Sequence, residues 1–222
     1  GRILPSMMDL AAVDVRTCQK RRDLVAARLF DTAALLPAGR SRSRNYLANT
    51  FAFRANSHFL YLFGLPLPHA WGFWNGQAWM VFAPTPDRDT ALWEGPTPGL
   101  QELSSALGCP VRSLDELPAA LAGRSAATLP SPDLETCLDQ SKLLGRSVTP
   151  GHLDGTDAVL ADALIAVRLV HDAGAIAELR RASEATAAAH EAGMKATRPG
   201  VREAVVRAAM EAQLIARDMT VA

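Results

Sequence analysis

The sequence predicts a mixed α/β or α+β domain followed by an almost purely helical segment. Three observations carry this reading. Two aromatic-rich runs, Ala70 to Trp74 and Gln77 to Ala83, are joined by Asn75-Gly76. That dipeptide signals a β-hairpin because both residues tolerate the positive φ of a type I′ turn. Stretches with helical spacing flank the hairpin on both sides. Finally, Gly145 to Asp157 is rich in Gly, Ser, Thr, Pro and Asp, and only helical patterns follow it.

Taken in order, Arg21 to Phe30 sets Leu24, Val25 and Leu29 at helical spacing among charged residues, the pattern of an amphipathic helix. Ala33 to Leu36 is a short apolar run stopped by Pro37-Ala38-Gly39, which suits a buried strand and a turn. Phe59 to Phe63 is aromatic and apolar and ends at Gly64-Leu65-Pro66, a second strand candidate. Leu100 to Leu107 and Leu114 to Leu121 are expected to be short helices on the outside of a mixed sheet. Beyond the break, Ile176, Leu179, Ala182, Ala187 and Met194 form an approximate stripe on a helix reaching Ala196, with Thr186 on the same face. Pro199-Gly200 ends that helix, and the next carries Val206, Met210 and Leu214 on one face. Such narrow faces of small residues suit close packing against a sheet, and no second sheet is legible before Ala222. The expectation is the front part of a larger two-domain protein.

Composition narrows the classes of function. The chain has 222 residues, 49% of them hydrophobic, and 23 basic side chains balance 23 acidic ones. Zero net charge provides no electrostatic reason to expect nucleic acid or an anionic membrane as partner. Cys18, Cys109 and Cys137 are far apart and odd in number, so neither a disulfide framework nor a zinc knuckle is suggested. No apolar run approaches the roughly 20 residues that span a bilayer, and Gly1 to Ser6 lack the pattern of a signal peptide. A soluble cytosolic protein with reduced thiols is the expectation.

Catalytic motifs are missing from the sequence. It holds no His-Glu-x-x-His, Walker loop, Gly-x-Gly-x-x-Gly or Gly-x-Ser-x-Gly. The histidines His58, His69, His152, His171 and His190 are scattered, and a structural or solvent role suits each better than metal ligation. Arg40, Arg42 and Arg44 alternate with serines, a cluster that suits a solvated turn better than a phosphate site. Of the tryptophans, Trp71, Trp74 and Trp79 belong to the hairpin, whose alternation buries some and exposes others. Trp93 stands outside it, before Gly95-Pro96, where an indole can pack or contact a ligand or another subunit.

The segment Phe53-Arg54-Ala55-Asn56-Ser57-His58-Phe59-Leu60-Tyr61-Leu62-Phe63-Gly64 resembles the Arg-x-Asn-Ser-x-Phe-x-Tyr-x-x-Gly stretch of the aminopeptidase P N-terminal domain. Three further segments agree in order. Asp89 to Gly95, with Trp93, is similar to the Trp-x-Gly segment after the central hairpin. Arg168 to His190 resembles the helix that opens the catalytic domain, and Arg198-Pro199-Gly200-Val201-Arg202-Glu203 resembles the start of the following helix. The likeness spans roughly residues 18–222.

The resemblance implies a creatinase/aminopeptidase P N-terminal-type α/β domain over residues 8–157, with a mixed sheet flanked by helices. Residues 158–222 would be the connecting helix and first helices of a pita-bread α+β catalytic domain, here incomplete. It implies an Xaa-Pro aminopeptidase-like metallopeptidase using two divalent ions, manganese foremost, on proline-containing peptides, as a homodimer or homotetramer. The family's metal ligands, two Asp, one His and two Glu, would all follow Ala222, so none maps onto this chain and its expected role is assembly and active-site access. By the same resemblance Trp93 is the first candidate to reach an active-site mouth, followed by Arg54, Asn56 and Tyr61. Asn56 and Ser57 also read as residues that satisfy backbone groups in a turn. A prolidase, a creatinase-like hydrolase and a non-catalytic pita-bread binding module remain open beside this reading.

Overall fold

A computed structural model describes residues 10, 13–46, 49–86, 95, 97–153 and 155–219. The chain divides into two compact units, Gly1–Leu169 and Val170–Ala222.

The first unit is built on a five-stranded mixed sheet. Its strands are β1 (Ala33–Pro37), β2 (Trp71–Trp74), β3 (Trp79–Ala83), β4 (Val111–Ser113) and β5 (Ala126–Thr128), in the order β4-β3-β2-β1-β5. The β1–β2 and β2–β3 pairs are antiparallel, whereas β1–β5 and β3–β4 are parallel. Helices α1 (Val15–Leu29), α2 (Ser57–Phe63), α3 (Leu100–Leu107), α4 (Leu117–Leu121), α5 (Leu134–Leu144) and α6 (Gly155–Arg168) surround it.

Strand alternation sorts the core into two layers. On one face Ala34, Leu36, Trp79 and Val81 meet Val25 and Leu29 of α1, Phe59, Leu62 and Phe63 of α2, Leu103 and Leu107 of α3, and Leu160 and Leu164 of α6. On the other, Leu35, Trp71, Phe73 and Phe82 pack with Leu117 and Leu121 of α4. Gly72 in β2 makes room for the first layer, because a Cβ there would lie 2.4 Å from Phe63 Cε2. Trp71 and Trp79 are buried and Trp74 is half-buried, so the hairpin indoles serve the sheet.

Three local expectations are corrected. Phe59 to Phe63 is not a strand but most of helix α2. Asn56 caps its start, with Oδ1 accepting the His58 N–H at 2.9 Å, and Gly64 ends it at a left-handed φ of 78°. The buried residues Phe59, Leu62 and Phe63 then share one helical face, which an apolar run of this length permits as readily as a strand. In α1 the buried face is Cys18, Arg22, Val25 and Leu29, leaving Leu24 40% exposed. The hairpin is present, but with a four-residue loop over 75–78 rather than a type I′ turn: Trp74 pairs with Trp79, and Gly76 takes a φ of 94° while Asn75 stays at negative φ. The Asn75 side chain closes that loop, its Oδ1 accepting the N–H of Gln77 and of Ala78 at 2.9 Å each.

Helix α6 begins at Gly155, inside the polar stretch read as a break, and packs on α1 and β5. Its entry is fastened by Asp157, whose buried carboxylate accepts the Thr128 N–H at 2.8 Å and pairs with Arg146. The neighbouring Gln140 of α5 donates to Thr128 Oγ1 and to the Leu129 carbonyl, and accepts the Ser131 N–H.

The second unit contains α7 (Ala173–Ala196) and α8 (Glu203–Ile215), packed against each other. Within this chain, Leu179 of the expected α7 stripe is 52% and Met194 68% exposed. The residues of α7 that are buried within this chain are Ala185, Ala189 and Gly193. A Cβ at Gly193 would sit 2.8 Å from Met210 Cγ and Sδ, so the Met210 side chain occupies the space that a larger residue at 193 would need. Val206, Met210 and Leu214 of α8 are half-buried, as their spacing predicts. No helix among the described residues is long and apolar enough to cross a membrane.

Candidate functional site

Three of the four site candidates lie on the loop and helix between β1 and β2; Trp93 lies outside the described residues. Arg54 is exposed, and both guanidinium nitrogens stand 3.2 Å from Ser57 Oγ. Asn56 has both ends engaged: its backbone N–H donates to the Ala38 carbonyl at 2.8 Å, and its side chain caps α2. Those bonds tie the start of α2 to the end of β1.

Tyr61, one turn further on, is half-buried between two cations. The Arg21 guanidinium carbon is 4.2 Å and that of Arg168 5.3 Å from the ring centroid. Arg21 also donates to the Tyr61 carbonyl at 3.2 Å. Arg168 Nη1 lies 3.0 Å from His58 Nδ1. A guanidinium only donates, so this Nδ1 is the unprotonated nitrogen and the ring proton sits on Nε2. Burial, aided by the Arg168 charge, holds the His58 pKa below the ordinary imidazole value. The structure thus gathers His58 and Tyr61 from α2, Arg21 from α1 and Arg168 from the end of α6. Sequence reasoning missed Arg21 and Arg168 as partners, and a separation of 110 residues between His58 and Arg168 leaves no local signal to find them.

A concavity of about 110 Å³ is lined by Gly39, Arg40, His69, Thr136 and Asp139 among others. Arg40 pairs there with Glu135 at 2.7 Å and Asp139 at 3.2 Å, and Arg42 lies 4.0 Å from Asp133. Arg44 stacks on Phe51, 4.8 Å from the ring centroid. The basic cluster is therefore answered by carboxylates at the start of α5 and by an aromatic face. Half-exposed pairs of this kind contribute little to stability. They do cancel the charge that a phosphate would need. His69 takes a φ of 61°, and burial, helped by Arg40, lowers its pKa against the opposing pull of Asp139.

In the concavity the Thr136 hydroxyl donates to Asp133 at 2.7 Å, where Asp133 caps the start of α5. Among the described residues no three His, Cys, Asp or Glu side chains gather as a metal ion would require. The Cys137 thiol donates to the Ser131 carbonyl at 3.0 Å, and burial raises its pKa. What the arrangement offers is a cation-rich junction of α1, α2 and α6.

A mixed five-stranded sheet with helices on both faces defines this unit as a three-layer α/β domain. The family model for the aminopeptidase P N-terminal domain matches residues 18–129, and the chain belongs to that family. Solved structures share the fold. Aminopeptidase PepP of Pseudomonas aeruginosa superposes with a TM-score of 0.76 at 23% identity, covering 92% of this chain and 50% of that one. Proline aminopeptidase P II from Yersinia pestis gives 0.73 at 22% identity with the same coverage. Zinc-substituted Escherichia coli aminopeptidase P in complex with product gives 0.72 at 21%, again covering 92% and 50%. The chain thus spans about half the length of the solved structures it matches. No curated protein sequence matches it.

Proposed function

We propose that this chain is the N-terminal part of a metal-dependent peptidase that removes the residue before proline from peptides. Its own contribution is assembly and access to the active site; the chemistry belongs to the other half of the complete enzyme. The observation that carries this reading is the family match over residues 18–129. The order of the flanking segments and the fold shared with aminopeptidase P structures support it. The zinc-substituted relative supports metal dependence. In the complete enzyme two divalent ions, manganese foremost, would activate water for attack on the scissile carbonyl. The described residues do not fit such ions, since they gather no donor set. A cytoplasmic homodimer or homotetramer is part of the same proposal.

The test compares the 222-residue chain with the complete polypeptide on an Xaa-Pro-containing peptide, with manganese and after chelation. The complete enzyme is expected to release the first residue, and chelation to abolish that release. The chain alone is expected to release nothing. Cleavage only of Xaa-Pro dipeptides would assign a prolidase. Hydrolysis of creatine without peptide cleavage would assign a creatinase-like enzyme, and binding without turnover a non-catalytic module.

Trp93 carries a separate prediction, on the resemblance of Asp89 to Gly95. In the complete enzyme Trp93→Ala is expected to lower kcat/KM for a peptide by about tenfold, the 1.4 kcal/mol scale of one lost aromatic contact. The unfolding midpoint is expected to stay unchanged. Unaltered kinetics together with unaltered oligomer size by light scattering would remove Trp93 from both roles.

A further inference from the structure

We infer that Asn75 is a spontaneous modification site, at which the β2–β3 loop deamidates in water to isoaspartate and aspartate. The reaction needs an electrophilic side-chain amide and an unhindered backbone nitrogen on the next residue. Both are present. Gly76 has no side chain to block approach to Asn75 Cγ, is exposed, and has open space where a Cβ would stand. The Asn75 Oδ1 accepts two backbone N–H groups, from Gln77 and Ala78, at 2.9 Å each. Two donors on one amide oxygen draw electron density from Cγ and make it a better electrophile, as donors aimed at a carbonyl oxygen do in general.

The other asparagines differ. Asn45 precedes Tyr46, Asn49 precedes Thr50 and Asn56 precedes Ser57, so each next residue carries a side chain. Asn56 is also held as the cap of α2, and Ser57 is already helical.

In the first step the Gly76 nitrogen attacks Asn75 Cγ. A new N–Cγ bond forms, the Cγ–Nδ2 bond breaks, and ammonia leaves with the proton from the Gly76 nitrogen. The product is a five-membered imide. Water then adds to one imide carbonyl and the C–N bond at that carbon breaks. The sum is amide plus water to carboxylic acid plus ammonia, with no change of oxidation state. Opening at the former backbone carbonyl yields isoaspartate. Arg124 Nη1 already donates to that oxygen at 3.2 Å, which polarises it and favours that product. Isoaspartate adds a methylene to the backbone beside the Trp74–Trp79 pair and loosens the end of the hairpin.

The experiment incubates the folded 222-residue chain at mildly alkaline pH and follows its peptides by mass spectrometry, with isoaspartyl methyltransferase labelling. A parallel sample is denatured in urea. The peptide holding Asn75 is expected to be the first to gain the mass of an amide-to-acid exchange, and to take the methyl label. Asn75→Gln is expected to lose that label while keeping the fold by circular dichroism. Earlier change at Asn45, Asn49 or Asn56 would overturn the inference. So would an intact Asn75 in the folded chain while the denatured sample reacts.

Discussion

Replacing Asp157 by alanine is expected to destabilise the first unit by about 3 kcal/mol, because it removes a buried carboxylate that serves two groups at once. The carboxylate is 2% exposed. It accepts the backbone N–H of Thr128, at the end of β5, at 2.8 Å, and it pairs with Arg146, which in turn reaches the Ala126 carbonyl at 3.4 Å. Alanine leaves the Thr128 N–H without its acceptor inside the protein and removes a carboxylate paired with a guanidinium that is only 28% exposed. The loss also detaches the start of α6 from the sheet that α6 covers. Asp157→Asn keeps an acceptor without the charge and is expected to fall between the two. Urea denaturation with a constant slope would measure both variants. A midpoint for Asp157→Ala indistinguishable from the parent would reject the fastening role.

A loss of similar or greater size, about 4 kcal/mol, is expected for Arg22→Met. Arg22 is 2% exposed and donates to the carbonyls of Leu62 at 2.9 Å, Leu107 at 2.9 Å and Gly108 at 3.4 Å. Those oxygens belong to the ends of α2 and α3, where the last carbonyls lack partners within the helix and carry its partial negative charge. One guanidinium thus caps two helices and stacks 5.5 Å from the Phe63 ring centroid. Methionine fills the space but strands the carbonyls, each costing about 1–3 kcal/mol when buried without a donor. Arg22→Lys keeps the charge yet lacks the planar fork that reaches both helix ends, so it should recover only part of the loss. Thermal unfolding of the three proteins would rank them parent, lysine, methionine. Equal melting of parent and methionine variant would show that the caps contribute nothing net.

These two residues mark where sequence reading stops. The pattern of α1 was legible from Val25 and Leu29, but a helical wheel places Arg22 on the same buried face without saying what an arginine does there. Its partners lie 40 and 85 residues away in the chain. Asp157 reads as one more polar residue in a Gly- and Ser-rich stretch, and only the approach of β5 turns it into an acceptor. The same holds for the Tyr61 cluster: the segment from Arg54 to Gly64 drew attention to Tyr61, while the flanking Arg21 and Arg168 have no local pattern.

By itself the sequence determined the mixed α/β class, the hairpin around Asn75-Gly76, the helices from Leu100 and from Leu114, and the helical tail. It also carried the ordered segments that place the chain in the aminopeptidase P N-terminal family. These features are written in local periodicity, turn chemistry and linear motifs, all short-range. The apolar run Phe59 to Phe63 fits either period, and its coiling into α2 goes with the Asn56 cap, the left-handed Gly64 and the space that Gly72 leaves for Phe63. Tertiary structure decided as well that Ala185, Ala189 and Gly193 of α7 are buried within this chain. At Gly193 the Met210 side chain fills the space a larger residue would need, and hydrophobicity alone does not predict such a fit.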